Sequence, residues 1–183
     1  MIFFDTETTG LLKPDENELI NQPHMIEFYG VRLDYGAKSG DFTFVSEFET
    51  YIKPPVPIPP IITKITGIDD AKVADAPTFS QMYNQFCEFF LGETTLVAHN
   101  ASFDVRILYN ELARMEREIQ FPWPTNHHCT VELSMPIEHK RLKLKRLHEM
   151  AVGHEHSSQH SARGDVEALV TCYKWLMDEG HIL

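Results

Sequence analysis

The apolar residues change period partway along the chain, and that change limits the fold more than any other feature. Up to residue 52 they come in short blocks or in alternation. Residues 2–5 (IFFD) read as a short buried strand and 25–33 (MIEFYGVRL) as a second. In 41–52, Phe42, Phe44, Phe48 and Ile52 share one parity while Asp41, Thr43, Glu47 and Glu49 share the other, which predicts a half-buried third strand. From residue 79 the spacing becomes helical: Phe79, Met82, Tyr83, Phe86 and Phe90, then Val105, Leu108, Leu112 and Met115, and finally Val166, Leu169, Val170, Tyr173, Leu176 and Met177. A strand over 95–98 (TLVA) interrupts the helices. Strands followed by helices, with one strand between them, predict an α/β sheet with helices packed on its faces. A chain of 183 residues with twelve Phe fits one domain, 1–183, with a sizeable core. Five prolines in residues 54–60 remove amide donors and predict an extended connector.

No long uncharged apolar run occurs, so neither signal peptide nor membrane anchor is expected, and the predicted location is cytoplasmic. Cys87, Cys129 and Cys172 lie far apart with no C-x-x-C pair, as expected of buried thiols in a reducing compartment. The formal charge of −11 argues against general attraction to a polyanion, so any such partner must be held locally, by metal ions or a basic patch.

Three acidic sites supply candidates. Asp5 and Glu7 stand two apart at a strand end, so the pleat turns both carboxylates to one face and Thr6 to the other. Such a pair repels itself unless a hard cation such as Mg²⁺ lies between. Asp104 closes H-N-A-S-F-D at the start of a helix, and Asp165 closes H-S-A-R-G-D before the last helix. Either acid alone would interact well with a helix dipole. Together they sit at strand ends and helix starts, where such sheets place ligands. Four converging carboxylates would need about two divalent ions, which can activate water for an in-line displacement at phosphorus. A histidine such as His160, with an ordinary pKa of about 6.5, suits the role of general base. The spacings of His127, His128, Cys129, His154, His156 and His160 match no usual zinc pattern.

With D-T-E-T-T-G, H-N-A-S-F-D and H-S-A-R-G-D in this order over positions 5 to 165, the sequence resembles the DnaQ-like exonucleases of the DEDDh type. The resemblance implies a ribonuclease-H-like mixed sheet with helices on both faces. It also implies removal of nucleoside monophosphates from nucleic-acid 3′ ends, with DNA expected in preference to RNA. Asp5, Glu7, Asp104 and Asp165 would hold two Mg²⁺ ions, with Mn²⁺ as a substitute, and His160 would deprotonate the attacking water. The Thr8 amide would contact the terminal 3′-hydroxyl, and Leu11, Ile65 and Phe103 would line the pocket for the last bases. Apolar and aromatic faces there would hold any base, as sequence-tolerant binding requires. The basic run 139–148, with Lys143 and Lys145, would track the strand. The loop after Gly153 is expected to order His160 over the acids when substrate arrives. A polymerase or repair partner fits such an enzyme. The alternatives are an RNA-trimming or oligoribonuclease-like enzyme of the same superfamily and a silent nucleic-acid-binding or scaffold module.

Overall fold

The computed structural model describes residues 1–15, 18–154, 156 and 161–182. Five strands form one mixed sheet: β1 (Ile2–Thr8), β2 (Met25–Gly36), β3 (Asp41–Tyr51), β4 (Thr95–Ala98) and β5 (Asn126–Cys129), in the order β3-β2-β1-β4-β5. β2 lies antiparallel to β1 and β3, whereas β4 runs parallel to β1 and β5 parallel to β4. Among the described residues the α-helices are α1 (Pro60–Thr66), α2 (Phe79–Phe90), α3 (Ala101–Ala113), α4 (Thr130–Glu138), α5 (Leu144–Val152) and α6 (Ala162–Asp178).

The alternation of β1 sorts the core into two layers. Ile2 and Phe4 pack with Phe86 and Phe90 of α2 and with Ile107, Leu108 and Leu112 of α3. Phe3 turns the other way, onto Val166, Leu169 and Tyr173 of α6. Its ring meets Tyr173 edge-on at 5.2 Å between centroids. α5 and α6 share a further cluster around Leu147, Cys172 and Leu176. Gly30 of β2 is fixed by space, because a Cβ there would lie 2.8 Å from the Phe89 ring. Cys129 and Cys172 are buried free thiols, as expected, and Cys87 is partly exposed. Among the described residues no helix is long and apolar enough to cross a membrane.

The single parity expected of 41–52 does not persist. Arg32 pairs with Ser46 and Leu33 with Phe44, so Val45 is an extra residue in β3. This bulge reverses the alternation. Phe42 packs with Phe3 and Tyr173 on the α6 side, whereas Phe48 packs against Phe28 and Phe86 on the α2 side, and Phe44 is exposed. The proline-rich segment is extended as predicted, but its last proline opens α1, a helix not expected. β5, α4 and α5 were likewise not expected. The helical stripe from Val105 to Met115 belongs to a helix that begins earlier, at Ala101, and ends at Ala113, before Met115.

Candidate active site

β1 delivers Asp5 and Glu7 to the α6 face of the sheet, and the first turn of α6 delivers Asp165 to the same place. Asp5, Glu7 and Asp165 each offer a carboxylate oxygen within 4.8 Å of the others. Residues 160 positions apart in the chain therefore meet at the end of β1, where the sequence leads us to expect Asp104 as a fourth acid.

Asp104 approaches from the opposite face. It lies in the first turn of α3 and is 2% exposed. Thr6, turned away from Asp5 and Glu7 by the pleat, donates to Asp104 Oδ1 from its amide (3.1 Å) and its hydroxyl (2.7 Å). Asp104 is thus fixed from behind by the residue between the two strand acids. It stands outside the group whose oxygens lie within 4.8 Å of one another, though its charge reaches Asp5.

The electrostatics follow from crowding and burial. Burial, then the charges of Asp104, Asp165, Glu7 and Glu27, hold the Asp5 carboxyl well above the usual range. Burial, then Asp165, Glu27 and Asp104, push Glu7 up to about 8. Burial raises Asp104 to about 7 against the two Thr6 hydrogen bonds, which favour its charged form. The carboxylates of this cluster repel one another, and their all-oxygen donor set is the type that hard divalent cations accept.

Glu27 was missed by the sequence reading. It lies across from Glu7 in the β1–β2 register, is 4% exposed, and accepts from the Ala162 amide through Oε2 at 3.1 Å. It ties the start of α6, and with it Asp165, to the sheet. One residue on, Arg163 lies over the Tyr29 ring and pairs with Glu47 and Glu49 of β3. An acid inside the otherwise apolar run MIEFYGV was the available signal. His156, given no role from sequence, places Nε2 3.5 Å from Asp165 Oδ1. His160 lies outside the described residues, as does most of the loop expected to carry it over the acids.

The second motif is braced by its surroundings. Asn100 opens α3 in the left-handed region (φ 67°), which asparagine tolerates better than most side chains, and its Oδ1 accepts from Arg141 at 2.6 Å. His99 Nδ1 lies 2.9 Å from Thr130 Oγ1, and burial holds the ring down at about 4, so it is neutral at physiological pH.

The expected substrate residues are distributed around this centre. Thr8 is buried, its hydroxyl donating to the Gly10 carbonyl at 2.6 Å. Leu11 is 81% exposed and lines a groove with Val56, Pro57 and Pro59, and Ile65 of α1 is 46% exposed. Phe103 is partly buried against the α3 core. The basic run is only partly a helix face, because α5 begins at Leu144 with Lys143 as its N-cap. Lys140 pairs with Glu138, Arg146 pairs with Glu138 and Glu149, and Leu142 is buried. Arg141 carries the run against the second motif through Asn100, while Lys143 and Lys145 are exposed.

The RNase T exonuclease family model matches residues 2–173. The chain is 28% identical over 180 residues to the PolC-type DNA polymerase III of Caldanaerobacter subterraneus, covering 98% of this chain and 12% of that one. It is 38% identical over 115 residues to the DNA polymerase III subunit epsilon of Treponema pallidum, covering 63% of this chain and 47% of the relative. It therefore spans less than half the length of these curated relatives. Among solved structures, exonuclease X in complex with 5′ overhanging duplex DNA aligns with TM-score 0.66 at 21% identity, over 100% of this chain and 93% of that one. The zinc-bound E. coli exonuclease I complex with single-stranded DNA aligns with TM-score 0.76 at 20% identity, over 98% of this chain and 40% of that one. These likenesses corroborate the fold. With the family model spanning nearly the whole chain, the protein belongs to the RNase T exonuclease family, a group of DnaQ-like nucleases.

Proposed function

We propose that the protein is a 3′–5′ exonuclease acting on single-stranded or frayed DNA ends, with two Mg²⁺ or Mn²⁺ ions held by Asp5, Glu7, Asp104 and Asp165. The observation that carries this reading is the approach of Asp5, Glu7 and Asp165 to within 4.8 Å of one another in a site that burial makes hostile to bare negative charge. Bound there, the ions would supply positive charge to the scissile phosphate and acidify a water.

The chain's own residues do the rest. Thr6 holds Asp104 in place, Glu27 and Arg163 hold the start of α6, and Asp5, Glu7 and Asp165 bring carboxylate oxygens within 4.8 Å of one another. His160, five residues before Asp165 in H-S-A-R-G-D, takes the proton of the attacking water in this reading. The Thr8 amide receives the terminal 3′-hydroxyl, and Leu11, Ile65 and Phe103 offer apolar faces to the last bases. Two of those faces, Leu11 and Ile65, are exposed as such contacts require. A polymerase or repair assembly is the partner class, since the relatives named above include DNA polymerase III chains.

The test is digestion of a 5′-labelled DNA oligonucleotide, with an RNA oligonucleotide alongside. The expected result is a ladder that shortens from the 3′ end, appears only with Mg²⁺ or Mn²⁺, and is faster for DNA. Release of a labelled mononucleotide at once, or no cleavage in either metal, would contradict the reading.

The basic run gives a second expected outcome. Reversing Lys143 and Lys145 to Glu removes cations beside the second motif and should weaken DNA binding about tenfold or more. Its salt dependence should flatten by roughly 0.7 in log–log slope for each lost phosphate contact. Anisotropy titrations at several salt concentrations measure both; unchanged binding would make the run structural.

A further inference from the structure

The two helix acids of the site are steadied from outside their own helices, by different devices. Asp104 has the two hydrogen bonds from Thr6. Asp165 has its backbone set by the start of α6. The Ser161 hydroxyl accepts from the Gly164 amide at 3.2 Å, the Asp165 amide donates to the Ser161 carbonyl at 3.0 Å, and Glu27 takes the Ala162 amide. The Asp165 side chain, however, stands beside Asp5 and Glu7, and the like charges repel.

His156 meets this side chain. Its Nε2 lies 3.5 Å from Asp165 Oδ1, and the two side chains are 8% and 18% exposed. The approach is built from α5. Gly153 ends that helix in the left-handed region (φ 82°), which glycine adopts without strain, and the chain turns back on the helix. His148, buried on α5, donates from Nδ1 to the His154 carbonyl at 3.0 Å, since a carbonyl can only accept. The His148 ring meets the His154 and His156 rings edge-on, each at 5.6 Å between centroids. α5 packs on α6 through Leu147, Cys172 and Leu176, so His148 and the acid that His156 meets belong to one packed pair of helices.

We infer that His156 is a positioning residue for Asp165 and that His148 holds His156 in place, an inference that takes the role of Asp165 as a cation ligand from the reading above. His156 is outside the group of donor atoms that lie within 4.8 Å of one another, so it acts on the ligand and not on the ion. An N–H on Nε2 directed at Oδ1 limits rotation of the carboxylate under repulsion from Asp5 and Glu7. A carboxylate that accepts one hydrogen bond keeps lone pairs for an ion. Groups one step behind a metal ligand orient it, and their loss weakens metal binding or turnover about 10- to 100-fold. His156 moves no proton in this scheme, which keeps it apart from the base role given to His160.

The test measures Mn²⁺ affinity by calorimetry without nucleic acid, and kcat and KM on a 5′-labelled DNA oligonucleotide, for wild type, His156→Ala, His156→Gln and His148→Phe, with a melt of each in EDTA. His156→Ala should weaken Mn²⁺ binding and lower kcat, each by about tenfold or more, with KM within about twofold. Glutamine carries an N–H donor near the place of Nε2, so His156→Gln should recover both to within about threefold. His148→Phe keeps a ring against His156 but has no donor for the His154 carbonyl, and should lose about threefold to tenfold in Mn²⁺ affinity. A purely structural histidine would lower the melting temperature in EDTA and leave the Mn²⁺ affinity of the folded protein unchanged. That result, or a loss in His156→Ala that His156→Gln does not recover, overturns the inference. Should His156→Ala fail to fold, unchanged Mn²⁺ binding in His148→Phe overturns it instead.

The titration also separates this inference from the nuclease reading. Mn²⁺ affinity that depends on His156, in a protein that cleaves no DNA, sustains the brace and sinks the nuclease reading. DNA cleavage with Mn²⁺ affinity and kcat indifferent to His156→Ala sinks the brace alone.

Discussion

Asp5→Asn is expected to lower nucleotide release by at least about a thousandfold and, at the same time, to stabilise the metal-free protein by roughly 1–3 kcal/mol. The two effects have one cause. Asp5 is half-buried among Glu7, Glu27, Asp104 and Asp165, each of which disfavours its charge. An amide of the same shape removes that repulsion and one candidate ligand together. Most changes of a buried polar residue destabilise, so a gain in melting temperature with a loss of turnover identifies a site kept unstable for function. Initial rates on a labelled oligonucleotide and a thermal melt in EDTA measure the pair. Destabilisation accompanied by unchanged activity would mean that Asp5 is only a structural acid.

The metal-free protein should also lose stability as the pH rises from about 5 to about 8. Glu7 titrates near 8 and Asp104 near 7 when folded, against ordinary values of about 4.3 and 3.9 for exposed Glu and Asp. Between those limits the folded state holds more protons than the unfolded state, so unfolding becomes easier with each increment of pH. Their contribution is fully present below the unfolded values and is lost as the pH passes through the folded ones. A divalent ion reverses the balance, because it binds the deprotonated carboxylates of the folded state only. At a hundred times its dissociation constant it adds about 2.7 kcal/mol. Mn²⁺ should therefore raise the melting temperature strongly at pH 8 and little at pH 5. Melts in EDTA and in Mn²⁺ at both values test this; a metal-free protein equally stable at the two, with no Mn²⁺ increment at pH 8, would remove the electrostatic account of the site.

Much of this centre was legible before any coordinates. The two-residue period of β1 placed Asp5 and Glu7 together and Thr6 apart, and the amphipathic starts of α3 and α6 placed Asp104 and Asp165 at helix ends. What the sequence concealed has physical reasons. The bulge at Val45 adds a residue without altering the alternation of residue types, so Phe42 and Phe48 read as one face although they occupy two. β5 is four residues long and reads NHHC, too short and too polar for a strand pattern, and it exists because its backbone pairs with β4. α4 holds Pro136 in its interior and α5 starts within a basic run, so local propensity masked both. Glu27 looked like one acid among many; only the β1–β2 register reveals that it faces Glu7 and reaches the Ala162 amide. Arg114 fixes the path of residues 19–23 through three carbonyls, which no periodicity records.

The central claim is that acids from β1, α3 and α6 form one divalent-cation site, and calorimetric titration of Mn²⁺ at pH 8 tests it most directly. The account predicts uptake of about two ions by the wild-type protein, with proton release as the raised carboxyls ionise, and loss of at least one of those ions in Asp5→Asn. No heat of Mn²⁺ binding to the wild type, or binding that Asp5→Asn leaves unchanged, would contradict it.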